Sequence, residues 1–259
     1  MFEPGFDQAA GLRSDAQRLR PGPSLMPLAS PALPSRAFEW LCQLAVDLAD
    51  AGHPVVVIDA TATERAGLPD GLLGALNDAS VAHLGPACAR GDWLVMPGRR
   101  GLQALQATAR AGGADTALSR LFAPFANDVL VLLYAPAQDL VTLLAEAPAR
   151  VLVPVIDQPQ ASIDAYGALK WLHAAGLAPV LAPLDAPPQV LANVADCARR
   201  HLGLQVPVWP RAEWARRLPA SALVHAGSPA VALSSTARGA RAGLDPMARQ
   251  PLAAHPLWS

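Results

Sequence analysis

Lysine is almost missing from this chain. Arginine occurs 19 times and lysine once, at Lys170. A phosphate-cradling P-loop needs a lysine just after glycines to reach the β- and γ-phosphates. Lys170 sits in Ala-Leu-Lys-Trp-Leu, with no glycine-rich loop before it and no Ser or Thr after it. On sequence alone, ordinary P-loop chemistry is excluded. Long apolar runs are missing too: the longest, residues 129–136, falls well short of the roughly 20 residues a membrane helix needs. The three cysteines, Cys42, Cys88 and Cys197, lie far apart without paired spacing. They read as small buried hydrophobes of a reducing cytosol, not as a disulfide framework or zinc site. Excess charge of either sign is absent: 20 basic and 21 acidic residues leave a net −1. No global field recruits nucleic acid or anionic lipid, so no nucleic-acid partner is expected. The N-terminus lacks a basic n-region and an apolar h-region, so no signal peptide is expected and the compartment reads as cytoplasmic.

What is present favours a packed core. Of 259 residues, 52% are hydrophobic and 16% charged, which suits one large domain or two small ones and excludes wholesale disorder. The pattern predicts a helical head over residues 6–20, an α/β domain over 24–218 and a tail over 219–259. In the head, Asp7 is a plausible N-cap. Ala9, Leu12, Ala16 and Leu19 recur at helical spacing before Pro21-Gly22-Pro23. In the body, strands are expected at 24–29, 55–58, 92–96, 129–133, 151–156, 178–182 and 206–209. Helices are expected at 36–51, 72–77, 102–111, 114–121, 162–175 and 190–201. This alternation argues for βαβ crossovers and a doubly wound, mostly parallel sheet flanked by helices. Residues 220–233 suit a further helix or an extended segment, and disorder is expected beyond residue 234.

Ligands of such a sheet bind at the carboxyl ends of its strands, and the residues predicted there are unpromising. After the first strand, residues 30–38 hold Pro31 and Pro34 but no glycine or lysine, a poor phosphate nest. Asp59 ends the second strand without an obvious second metal ligand and reads as the cap of a turn. Tyr134-Ala-Pro-Ala and Asp157-Gln-Pro-Gln160 follow later strands without a base or nucleophile. His53, His83, His173, His201, His225 and His255 are scattered, and no Gly-x-Ser-x-Gly or GxGxxG element occurs. Trp171, Trp209 and Trp214 read as core or edge packing. No catalytic residue, cofactor or metal is expected.

The head reads differently. Asp7-Gln-Ala-Ala-Gly-Leu-Arg13 precedes the body by a short linker. It is either a fraying helix on its own domain or a detachable amphipathic peptide for a groove on another protein. In the second case Gln8 is free to reach a nucleotide site in trans, where a glutamine can orient the water that attacks GTP.

These residues resemble a known pattern. Asp7-Gln8-Ala9-x-x-Leu12-Arg13 is similar to the DQAxxLR activator motif of the FlhG/FleN family, the MinD/ParA-like regulators of flagellar number. The body resembles the same family over about residues 6–218. The matching stretches are Val55-Val-Val-Ile-Asp59-Ala60, Gly91-Asp-Trp-Leu-Val-Met-Pro-Gly98 and Ser162-Ile-Asp-Ala-Tyr166 with Leu169-Lys-Trp-Leu-His173. The departures concern nucleotide chemistry. Ala32-Leu-Pro-Ser-Arg-Ala-Phe38 stands where the family has KGGVGKT. Thr61 replaces an acid of switch I, while Leu133 and Ala137 replace the aspartate and glycine of switch II. The resemblance implies a MinD-like fold without a functional P-loop, a pseudo-ATPase with no nucleotide cofactor. It also implies an FlhF-type signal-recognition GTPase as partner, engaged at the cell pole, with flagellar C-ring or transcriptional regulator proteins as further partners of the body. On it, Asp7 caps the head helix, Ala9 and Leu12 anchor it, Gln8 positions water or nucleotide, and Arg13 pairs with an acidic or phosphate group. The family's membrane-targeting helix finds no counterpart in residues 220–233, which carry no basic residue beyond one histidine. Two alternatives stay open: a MinD-like adaptor unrelated to flagella, and an ATPase that binds nucleotide through Arg36 and a remodelled loop.

Overall fold

The computed structural model describes residues 22–31, 34–65, 71–78, 84–85, 92–157 and 160–224. The head and most of the tail expected above therefore lie outside the described residues. Six parallel strands form the sheet in the order β3-β2-β4-β1-β5-β6. They are β1 (Ser24–Ser30), β2 (Val55–Asp59), β3 (Trp93–Pro97), β4 (Leu130–Pro136), β5 (Arg150–Ile156) and β6 (Ala178–Leu184). A two-residue strand, β7 (Leu223–Val224), runs antiparallel to the start of β1. The helices are α1 (Pro34–Asp50), α2 (Leu72–Asn77), α3 (Arg99–Phe122), α4 (Ala137–Leu143), α5 (Ala161–Ala174), α6 (Pro188–Leu202) and α7 (Arg211–Ser221). The doubly wound α/β architecture expected from the alternating pattern is the one observed.

Alternation along the strands divides the core in two. Leu25 and Ala29 of β1 face a cluster covered by α2 to α6, while Met26 and Leu28 face α1 and α7. The apolar stripe of α1, Leu41, Leu44, Ala45, Leu48 and Ala49, is wholly buried. Across that face Trp40 meets Trp214 of α7 edge-on, with centroids 5.6 Å apart.

Proline shapes the middle of the sheet. β1 pairs with β4 along all seven residues but with β5 only at Leu28↔Leu152. The Ser24 amide donates toward β4, so in a parallel ladder the amides of alternate residues 25, 27 and 29 face β5. Pro27 and Pro154 therefore delete the bonds that would flank the single bridge on either side. Pro27 is tolerated in a central strand because its missing donor faces this thin seam.

Four local expectations are corrected. Residues 206–209 form no strand: Pro207 and Pro210 break the ladder, and only Val208 bridges to Leu181. Residues 211–221, not predicted to be helical, form α7. The short helix α4 follows β4 directly, also unpredicted. The half-buried Cys42 and Cys197 are not the fully buried residues expected, and Cys88 lies outside the described residues. No described helix is long and apolar enough to cross a membrane.

Candidate functional site at the carboxyl end of the sheet

The crossover leaving β1 leads to β2 and the one leaving β4 leads to β5, in opposite directions along the sheet. The crevice between the carboxyl ends of β1 and β4 is thus the natural ligand position. Both exits are tight. β1 ends at Ser30 and α1 begins at Pro34, so residues 31–33 make the whole connection. The helix starts two residues earlier than expected because proline suits the first helical position. Arg36 consequently lies in the first turn of α1 and not in a loop. β4 runs into α4 without an intervening residue, Pro136 acting as N-cap with φ −52°.

The polar groups at this end bind the protein's own backbone. The Asp59 carboxylate accepts the Thr61 amide (2.9 Å) and hydroxyl (2.6 Å), as the turn-cap reading required. The Asp59 carbonyl accepts from Gly98, and the Tyr134 carbonyl accepts from Ala60. Tyr134 itself is buried, and its hydroxyl finds no hydrogen-bond partner among the described residues. Burial, and secondarily the Asp59 charge, push its pKa well above the ordinary tyrosine value.

Sequence reasoning missed Glu64, the buried charge among the described residues. It is only 6% exposed. One carboxylate oxygen accepts the Arg100 amide (2.6 Å), and the other accepts Gly101 (2.8 Å) and, at 3.4 Å, Leu73. These are the open amides of the first turns of α3 and α2, where a negative charge is favoured. Burial pushes the Glu64 pKa up, but the amides of Arg100 and Gly101 hold it below its ordinary value. A Cβ on Gly71 would sit 2.6 Å from Glu64 Cγ, so the acid fills its cradle. Further along, buried Gln106 of α3 donates to the Asp139 carbonyl and carboxylate of α4, both at 3.1 Å. No group of three His, Cys, Asp or Glu able to hold a metal occurs among the described residues.

Several solved structures are similar to this chain. Apo McdA from Cyanothece matches 73% of it and 84% of its own length at 14% identity, with a TM-score of 0.49. A plasmid partition protein from Borrelia burgdorferi matches 73% of this chain and 89% of its own at 12% identity, TM-score 0.45. Cobyrinic acid a,c-diamide synthase from Mycobacterium smegmatis, solved with ADP and magnesium, matches 69% and 82% at 15% identity, TM-score 0.44. No protein-family model matches the chain, and neither does any curated protein sequence. The fold assigned above rests on the chain's own strand order.

The five residues predicted to bind a partner, Asp7, Gln8, Ala9, Leu12 and Arg13, lie outside the described residues. Of the tryptophans expected in core or edge packing, Trp171 is 50% exposed on α5 and lies outside the core. Trp209 and Trp214 are buried as expected.

Proposed function

We propose that this chain is a nucleotide-independent, FlhG-like regulator that acts through its head on an FlhF-type GTPase. The observation that carries the reading is the spacing Asp7-Gln8-Ala9-x-x-Leu12-Arg13. In the proposed complex Leu12 and Ala9 anchor the helix, Asp7 caps it, Arg13 pairs with an anionic group, and Gln8 orients the attacking water. The α/β body then acts as a scaffold, with flagellar C-ring or transcriptional regulator proteins as its partners at the cell pole. What supports an inactive nucleotide site is the three-residue connection after β1. It contains no glycine and one proline, which leaves too few amides to wrap a phosphate.

The test is GTP hydrolysis by the partner GTPase with this protein, with a peptide of residues 1–20, and with Gln8→Ala. Stimulation by protein and peptide that disappears in the variant supports the reading. Unchanged turnover in all three overturns it. Saturable micromolar ATP binding in a titration would instead favour the remodelled-loop ATPase.

A further inference from the structure

A groove of about 540 Å³ opens at the opposite, amino end of β5 and β6. Leu177, Pro179, Val180, Leu204 and Pro207 make its apolar wall. Arg150, the first residue of β5, and Arg217 of α7 stand at its cationic end, with guanidinium carbons 5.9 and 5.7 Å from the centre of the Trp209 ring. The ring is held in place, since the Trp209 amide donates to Leu181 (2.8 Å) and its carbonyl accepts the Trp214 indole N–H (2.8 Å). Two cations are thus drawn onto one fixed indole.

Only one of the two charges has a carboxylate beside it. Arg150 makes one long hydrogen bond, to the Ser221 hydroxyl at 3.3 Å, and has no carboxylate within 4 Å among the described residues. Arg217 is ion-paired with Glu213, Nε lying 2.6 Å from Oε2. Arg150 therefore keeps donors in the planar fork that matches an oxyanion, with the Arg217 charge beside it on the same ring. The wall decides which oxyanion. Pro179 and Pro207 have no amide, and no glycine lines the groove, so the backbone donors that cradle a phosphate are missing. Aliphatic and proline surface suits an aliphatic side chain instead.

We propose that this groove docks an acidic peptide of a protein partner: a short extended segment with a carboxylate on the Arg150 fork and an aliphatic neighbour against Leu177, Val180 and Leu204. The peptide binds by side chains and not by extending the sheet. The outward backbone positions of β6 are Pro179, Leu181 and Pro183, and the Leu181 amide already donates to Pro207 (2.9 Å). The proposal does not depend on the head.

The experiment is fluorescence anisotropy on the full chain with fluorescein-labelled peptides alternating Glu and Leu, Gln and Leu, or Lys and Leu. The acidic peptide binds saturably and the glutamine peptide at least about tenfold more weakly. Arg150→Gln, exposed and verified by an unchanged thermal melt, weakens the acidic peptide by a similar factor. Arg150→Glu lets the lysine peptide bind. Equal binding of the acidic and glutamine peptides, or an Arg150→Gln affinity within about twofold of the parent, overturns the proposal. So does complete displacement by inorganic phosphate but not by chloride at equal ionic strength, which would assign the groove to phosphate.

Discussion

The two ends of the strands contrast sharply. At the carboxyl end, where an α/β sheet ordinarily receives its ligand, the connections after β1 and β4 are three residues and none. The acids there are engaged by amides and hydroxyls of their own chain, Asp59 by Thr61 and Glu64 by Arg100 and Gly101. At the amino end, Arg150 and Arg217 stand on an indole, Arg217 paired with Glu213 and Arg150 with no carboxylate within 4 Å among the described residues. The same architecture thus satisfies the acids at and after the end of β2 internally and leaves a cation, Arg150, without a carboxylate at the far end. Fold alone does not locate a site; the partners of its charged groups do.

Trp214→Ala should have the largest effect. It removes a fully buried ring that packs on Trp40 and fixes Trp209. A loss of about 3–5 kcal/mol is expected by denaturant unfolding, and the amino-end groove should lose its shape with it. Glu64→Gln comes next. The amide group can satisfy only part of the carboxylate's contacts and presents N–H to N–H, so the cost is about 1–3 kcal/mol.

The pH dependence tests the same clamp. The folded pKa of Glu64 is lowered, so its contribution is present above the ordinary carboxylate range. It fades as pH falls through that range and is gone below the folded value. Stability curves of the parent and Glu64→Gln should converge at acid pH. Curves that stay parallel would show that Glu64 is not the anion of α3.

Smaller effects follow at both ends. Tyr134→Phe removes a buried hydroxyl without a partner among the described residues, so stability should hold or rise by up to about 1 kcal/mol. A loss would reveal a partner for the hydroxyl. Asp47→Asn breaks the forked pair in which Arg211 donates to both carboxylate oxygens at 2.8 and 2.9 Å. The pair lies at the surface with Asp47 partly buried, so a cost of about 1 kcal/mol is expected. A double-mutant cycle with Arg211→Gln measures it.

How much was legible follows from the range of the signals. The continuous run of residues 55–58 and the stripe of α1 are local patterns, and both are buried where expected. The helix α7 was hidden because only Trp214 and Leu218 carry its apolar face among Arg and Glu, and Pro210 and Pro219 read as breaks. Burial against Trp40 outweighs that weak propensity. Glu64 had no local signature, since its main partners lie 36 and 37 residues further along. The groove draws Arg150, Trp209 and Arg217 from three separate segments, which no periodicity records. At the carboxyl end, by contrast, the missing glycines and lysine were visible from the start.

The proline-thinned seam has a consequence for how the chain could come apart. It coincides with a division in sequence: residues before β5 supply β3, β2, β4 and β1, and residues from its start onward supply β5 and β6. A cut in the turn between α4 and β5 would leave each fragment a ladder of its own, joined to the other by one bridge and by packing. α7 and β7 then serve as a clasp, reaching back from the second fragment to α1 and the first residues of β1. Reassembly of the two halves would draw on that clasp as well as on the packing across the seam.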